Sequence, residues 1–286
     1  MRKPVTAPAV RARKCGRGQE PLVMVTAYDA PTARIADAAE VDLILVGDSV
    51  ANVVLGYEDT LQVTVQDMAH HVAAVARSRP RALVVGDMPW LSYHRGPEGA
   101  VTNAAVLVRA GAQAVKLEGG TKRVPVISAI VDAEIPVMGH LGLTPQSVHA
   151  MGGYRVQGRD SAAADELVRD AAALVEAGVF AVVLEGVPDV VAARVTASVD
   201  VPTIGIGAGP ACDGQVLVMH DLLGLEDRVT PKFVRRYASL KADAVSAVAA
   251  YAADVRTGRF PGPEESYHLQ GESLDPYGSG GVASAS

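Results

Sequence analysis

Aromatic side chains make up only 4% of the 286 residues, so any core has to be built from small aliphatic groups, and hydrophobic residues are plentiful at 49%. Such a composition suits strands that are covered on both faces by helices. Two cysteines, Cys15 and Cys212, are too few for a disulfide framework and lack metal-ligand spacing, which fits a reducing, cytoplasmic setting. No apolar run reaches the length of a membrane span, so no membrane partner is expected. Positive charge is scarce outside the N-terminus: the formal net charge is −6, yet six of the 26 cations fall in residues 1–20 beside a single acid, Glu20. The remainder is strongly acidic, which argues against a nucleic-acid surface.

The basic stretch 1–20 lacks the serine content and apolar face of an organelle presequence, and reads as a flexible or strand-edge arm. The C-terminal stretch 269–286, which includes "YGSGGVASAS", is too small and polar to build a core and reads as a disordered tail. Residues 21–268 between them are long enough for one large domain or two ordinary ones.

Within that span, β-branched apolar runs recur at 22–26, 43–47, 82–86, 114–117, 135–138, 180–184 and 202–206. Alanine-rich stretches with helical apolar spacing separate them. Gly111 and Gly178 fall where helices would end, and Pro80, Pro136 and Pro202 fall at strand entrances. An eighth run, "QVLVMHDLLGL", reads equally as strand or helix. Strand–helix alternation calls for parallel strands with right-handed crossovers. Seven or eight units in about 250 residues match a single (β/α)8 barrel, an α/β TIM barrel, better than a doubly wound open sheet. The glycines of "GIGAGP" are spaced GxGxG and sit at the seventh strand, which excludes a dinucleotide fingerprint.

Four of these runs end on an acid: Asp48, Asp87, Glu118 and Glu185. In a parallel barrel all strand C-termini open on one face, so residues far apart in sequence converge there. Tyr28, Ser49 and His140 join them, and Lys116, two residues before Glu118, points to the same side. One strand-end acid is often a helix cap. Four together repel and need a cation: Lys116 offsets one charge, and a hard divalent ion such as Mg²⁺, with Mn²⁺ or Co²⁺ as substitutes, would offset more. Asp48, Asp87 and Glu118 come from adjacent strands and are near enough to share an ion, directly or through its waters. Glu185, two strands further round, would face that ion as a general base. This arrangement suits enolisation of an α-keto acid. His140 reads as a proton relay or a packed histidine, Tyr28 as an auxiliary or a plug. His70 and His71 lie mid-helix and read as filler, and Cys212 has nothing beside it to make it a nucleophile. The glycine-studded connection 139–160 reads as a lid or binding loop, with Arg155 and Arg159 as its cations.

The segments "LVGDSVANVVLGY", "VKLEGG", "PVMGHLGLTPQSV", "GGYRVQGR" and "IGIGAGPACDGQVLVMHDLLGL" resemble the ketopantoate hydroxymethyltransferase family, and the likeness spans residues 22–268. The resemblance implies a (β/α)8 fold, one Mg²⁺ per subunit, and transfer of a one-carbon unit from 5,10-methylenetetrahydrofolate to 2-oxoisovalerate, in pantothenate biosynthesis. It implies metal carboxylates at Asp48, Asp87 and Glu118, keto-acid contacts at Asp48, Ser49, Asp87 and Lys116, and a proton acceptor at Glu185. It further implies a homo-oligomer, a decamer. The segment "EESYH" at 264–268 departs from the family's Glu-His-Ser-Phe pattern. Two other readings compete: a Mg²⁺-dependent lyase or phosphonate enzyme of the isocitrate lyase type, which would place a reactive cysteine on a loop, and a keto-acid or folate sensor, which could dispense with the base.

Overall fold

The computed structural model describes residues 3–14, 20–226 and 231–268. Eight parallel strands close into a barrel in simple sequential order, β1 to β8. They are β1 (Leu22–Thr26), β2 (Leu43–Val46), β3 (Leu83–Asp87), β4 (Ala114–Glu118), β5 (Val137–Gly142), β6 (Ala181–Glu185), β7 (Thr203–Ile206) and β8 (Gly214–Leu217). The helices are α1 (Ala7–Arg11), α2 (Ala30–Ala38), α3 (Val50–Val53), α4 (Val65–Ala76), α5 (Pro97–Ala110), α6 (Val124–Asp132), α7 (Val148–Met151), α8 (Ser161–Glu176), α9 (Asp189–Ser198), α10 (Met219–Leu222) and α11 (Leu240–Arg256). The (β/α)8 expectation holds. The ambiguous eighth run is both things in turn: its first residues are β8, and a short α10 follows.

Local chemistry sets the element ends. Thr64 accepts from the Asp67 backbone while Asp67 accepts from the Thr64 backbone, a capping box that starts α4. Asp29 and Thr32 do the same for α2. Gly111 ends α5 in the left-handed region at φ 116°, which a side chain would resist.

Strand alternation divides the core in two. Val25, Ile44, Val84, Val115, Val137 and Val182 point outward to the helices. Leu22, Met24, Leu43, Leu45, Leu83, Val85, Ala114, Met138, Ala181 and Val183 point inward and fill the barrel in layers. Burying each of the larger ones contributes roughly 1.5–3 kcal/mol. The same inward parity continues upward to Asp87, Lys116, Glu118, His140 and Glu185. The interior is therefore apolar below and charged at the C-terminal mouth.

The described part of the basic N-terminal stretch is not a loose arm. Val5 N donates to Arg81 O at 2.7 Å, and Ala7 and Val10 of α1 join the inward-facing core, with Val10 wholly buried. Arg13 pairs with Asp42 and Lys14 Nζ with Asp213 Oδ2 at 2.8 Å. Those acids also accept backbone N–H groups, from Val23 at 2.9 Å and from Thr203 at 2.8 Å. The expectation failed because two buried acids near the start of the barrel are the partners of cations that looked solvated in sequence.

The chain divides into two compact units, residues 1–238 and 239–286. In the second unit α11 buries none of its residues and exposes Val245, Val248, Tyr251 and Val255 at helical spacing. The segment 269–286 lies outside the described residues, as do Cys15 and the rest of 15–19.

Candidate active site

Register brings the charged residues of the mouth together. Asp87 on β3 pairs with Lys116 on β4, and Glu118 pairs with His140 on β5. One pleat higher, Gly142 on β5 pairs with Glu185 on β6. Lys116 Nζ lies 2.9 Å from Asp87 Oδ1 and 4.0 Å from Glu118 Oε1, and all three side chains are buried. His140 Nδ1 lies 3.3 Å from Glu118 Oε1 and its Nε2 lies 3.3 Å from Glu185 Oε2. Its Nδ1 is also 3.3 Å from Lys116 Nζ. Asp48 follows β2 just before α3, and its backbone N–H donates to Asp87 Oδ2 at 3.1 Å. The structure thus joins Asp48, Asp87, Lys116, Glu118, His140 and Glu185 in one network.

Burial raises Asp48 well above the ordinary aspartate range, and the nearby charges of Asp87 and Glu118 add to it. Asp87 is raised by burial too, with Lys116 opposing the shift. Burial alone would depress Lys116, but the fields of Asp87, Glu118 and Asp48 outweigh it and hold the ammonium above its usual value. Burial likewise disfavours a charged His140, and Lys116 repels it. Hydrogen bonding to Glu118 and Glu185 reverses the balance and lifts the imidazole to about 9. Glu118 is the exception among these carboxyls: burial pushes it up, but its His140 contact and Lys116 bring it below its ordinary value.

Buried Asp87 Oδ1 and Glu118 Oε1 have no hydrogen-bond partner with good geometry. Buried carboxylate oxygens of this kind, set close to one another, suit a hard cation. Among the described residues, no three His, Cys, Asp or Glu side chains form a ready-made ion cage.

The other sequence candidates separate by role. Tyr28 is fully buried, with its hydroxyl 2.8 Å from Ser49 Oγ. His71 Nδ1 contacts Tyr28 O at 2.8 Å, so His71 anchors the loop after β1, and His70 packs edge-on against its ring. Cys212 is buried and its thiol is pushed up, chiefly by desolvation, so it is no nucleophile. Arg155 and Arg159 are exposed, outside the buried network. In the 139–160 connection, a turn at Pro145–Ser147 and α7 follow Thr144. Tyr154, on the same connection, has its phenol pushed up by partial burial and by the fields of Asp59, Asp48 and Glu185.

Two residues of the network escaped the sequence reading. Gln146, in that connection, donates from Nε2 to Asp48 Oδ2 at 2.9 Å and from its backbone to Glu118 Oε2 at 3.0 Å. Tyr93, after β3, donates to Gln146 Oε1 at 2.7 Å and accepts from the Glu118 backbone at 3.2 Å. Neutral side chains in loops carry no periodicity that would single them out. The "GHLGLTPQSV" motif was the one available signal.

A closed parallel barrel with buried acids, a lysine and an imidazole at the carboxyl ends of its strands is a (β/α)8-barrel enzyme. The sequence model of the family described as Ketopantoate hydroxymethyltransferase matches residues 5–263, and the chain belongs to that family. The match takes in the docked N-terminal helix as well as the barrel. A 3-methyl-2-oxobutanoate hydroxymethyltransferase of Moorella thermoacetica is 58% identical over 268 residues, covering 93% of this chain and 99% of the relative. One from Methylobacterium sp. (strain 4-46) is 60% identical over 248 residues, covering 87% and 86%. Among solved structures, 2,3-dimethylmalate lyase, a PEP mutase/isocitrate lyase superfamily member, matches with a TM-score of 0.56 at 19% identity, covering 93% of this chain and 92% of that one. Phosphoenolpyruvate phosphomutase from Streptomyces platensis subsp. rosaceus matches with 0.58 at 16%, covering 88% of each. Likeness at that identity speaks for the fold alone.

Proposed function

We propose that the protein transfers a hydroxymethyl group from 5,10-methylenetetrahydrofolate to 2-oxoisovalerate, giving ketopantoate for pantothenate biosynthesis. The observation that carries this reading is the run of buried Asp87, Lys116, Glu118 and His140 leading to the partly exposed Glu185, which sets an acid-and-ammonium pocket beside a separate carboxylate. A Mg²⁺ held by Asp48, Asp87 and Glu118, directly or through its waters, would supply Lewis acidity toward the keto acid's carboxylate and carbonyl oxygens.

The chain's own residues do the rest. Lys116 meets the substrate's anionic end, and Ser49 contacts the keto acid beside Asp48. Glu185, 17% exposed at the mouth, removes the C3 proton. Water releases the one-carbon unit from the folate as formaldehyde, leaving tetrahydrofolate. The C3 carbanion equivalent then attacks the formaldehyde carbon, and the alkoxide formed takes up a proton to become the hydroxymethyl group. His140 lies against both Glu118 and Glu185, so it holds the base in place. A lyase of the isocitrate lyase type is disfavoured because Cys212 is buried with its thiol pushed up. A sensor would have no use for Glu185.

We infer a homo-oligomer, a decamer on family resemblance. The apolar face of α11 and the half-exposed Val23 on β1 are surfaces that further copies would cover. Among the described residues no helix is long and apolar enough to cross a membrane. A cytoplasmic location is part of the same proposal.

The direct experiment incubates purified protein with Mg²⁺, 2-oxoisovalerate and methylenetetrahydrofolate and measures ketopantoate. Formation that depends on all three supports the reading, and absence of product removes it.

A further inference from the structure

The hydrogen bonds through Tyr93 and Gln146 have only one consistent polarity. The Glu118 N–H donates to the Tyr93 oxygen, so the Tyr93 proton is free for Gln146 Oε1. With Oε1 occupied as an acceptor, the Gln146 amide must turn Nε2 toward Asp48 Oδ2, at 2.9 Å, and Met88 O, at 3.0 Å. The Gln146 backbone N–H meanwhile holds Glu118 Oε2. Gln146 and Tyr93 are 5% and 1% exposed, so water does not replace these contacts. Burial pushes the Tyr93 phenol up, which keeps it a donor. Arg123 covers its ring, 5.4 Å from the centroid.

We propose that Gln146, oriented by Tyr93, is the positioning residue that holds Asp48 and Glu118 together for the cation and the keto acid. This rests on the function proposed above and adds two residues to it. The geometry has a direct reason. Asp48 follows β2 and Glu118 ends β4, with β3 between them. Gln146 spans them, with its amide on one and its backbone on the other. Two carboxylates that repel would otherwise spread, and a cation that needs both would first have to draw them together. The residue also lies at the start of the 139–160 connection. Seating Gln146 therefore ties the conformation of that loop to the readiness of the pocket.

The test measures Mg²⁺ affinity by calorimetry on the full chain, without folate, and reads steady-state turnover separately. The variants are Gln146→Met, Tyr93→Phe and the pair together. Gln146→Met keeps the length and volume but removes the amide. Supporting groups around metal ligands contribute about 10–100-fold to affinity, and a loss of that size is expected for Gln146→Met. Tyr93→Phe should lose less, and the double variant should lose less than the two combined, because Tyr93 acts in part through Gln146. The KM for 2-oxoisovalerate should rise by a larger factor than kcat falls. Should Gln146→Met not fold, Gln146→Asn serves: it keeps an amide but is one methylene too short to span, and the same loss is expected. A folded Gln146 variant that binds Mg²⁺ within twofold of wild type overturns the proposal. A double variant whose losses simply multiply removes Tyr93 from it. Wild type that binds no Mg²⁺ overturns the underlying functional reading instead, and that result is visible before any variant is made.

Discussion

Lys116 Nζ and Asp87 Oδ1 lie 2.9 Å apart across the β3–β4 seam, where the register places the two residues side by side. Both side chains are almost wholly buried. A pair in that position gains its attraction only while both partners are present, since removing one leaves the other charge desolvated.

Lys116→Met should therefore lower stability by about 3 kcal/mol and abolish measurable 2-oxoisovalerate binding, because the ammonium is also the pocket's charge for an anion. Thermal unfolding and keto-acid calorimetry read the two effects separately. Unchanged keto-acid affinity in a destabilised variant would make Lys116 a structural residue only.

Mg²⁺ should raise the unfolding temperature of wild type, by about 2.7 kcal/mol equivalent at a hundredfold excess over Kd. Asp87→Asn should fold yet show little of that rise, since the amide offers a neutral oxygen where a carboxylate is needed. An equal rise in both proteins would take Asp87 out of the ligand set.

The docked N-terminal helix makes a prediction remote from the chemistry. Val10 is wholly buried in the interior core, and Val10→Ala should cost about 2 kcal/mol from lost burial and the void left behind. KM and kcat at 25 °C should stay as in wild type. No change in denaturant midpoint would mean that the helix contributes nothing to the barrel.

Gly142 combines φ 90° with a position where an added Cβ would lie 2.3 Å from Glu185 O. Leu143 N donates to that same carbonyl at 2.8 Å. Gly142→Ala should therefore cost about 2 kcal/mol or more and reduce turnover by shifting Glu185. Normal kinetics would show that the β5–β6 edge yields without moving the base.

The mouth of the barrel was legible in sequence because strand parity is rigid. Asp87, Lys116, Glu118, His140 and Glu185 each end a recognisable run, and parallel closure leaves them one place to go. Charge misled where burial was hidden. Arg13 and Lys14 read as solvated, because the acids they meet, Asp42 and Asp213, lie far along the chain. Gln146 and Tyr93 were invisible for another reason: what they do depends on which loops the barrel brings together.

The central claim is that Glu185 removes the C3 proton of a keto acid activated in this pocket. The most direct measurement omits the folate: NMR follows exchange of the label from 2-oxoisovalerate deuterated at C3 into ordinary water. Wild type should catalyse exchange with Mg²⁺ and lose it without. Glu185→Gln should still bind Mg²⁺ and keto acid but exchange more slowly by roughly 10²–10⁴-fold, the contribution of a positioned base. Exchange at the wild-type rate in the glutamine variant would contradict the assignment and pass the role of base to His140.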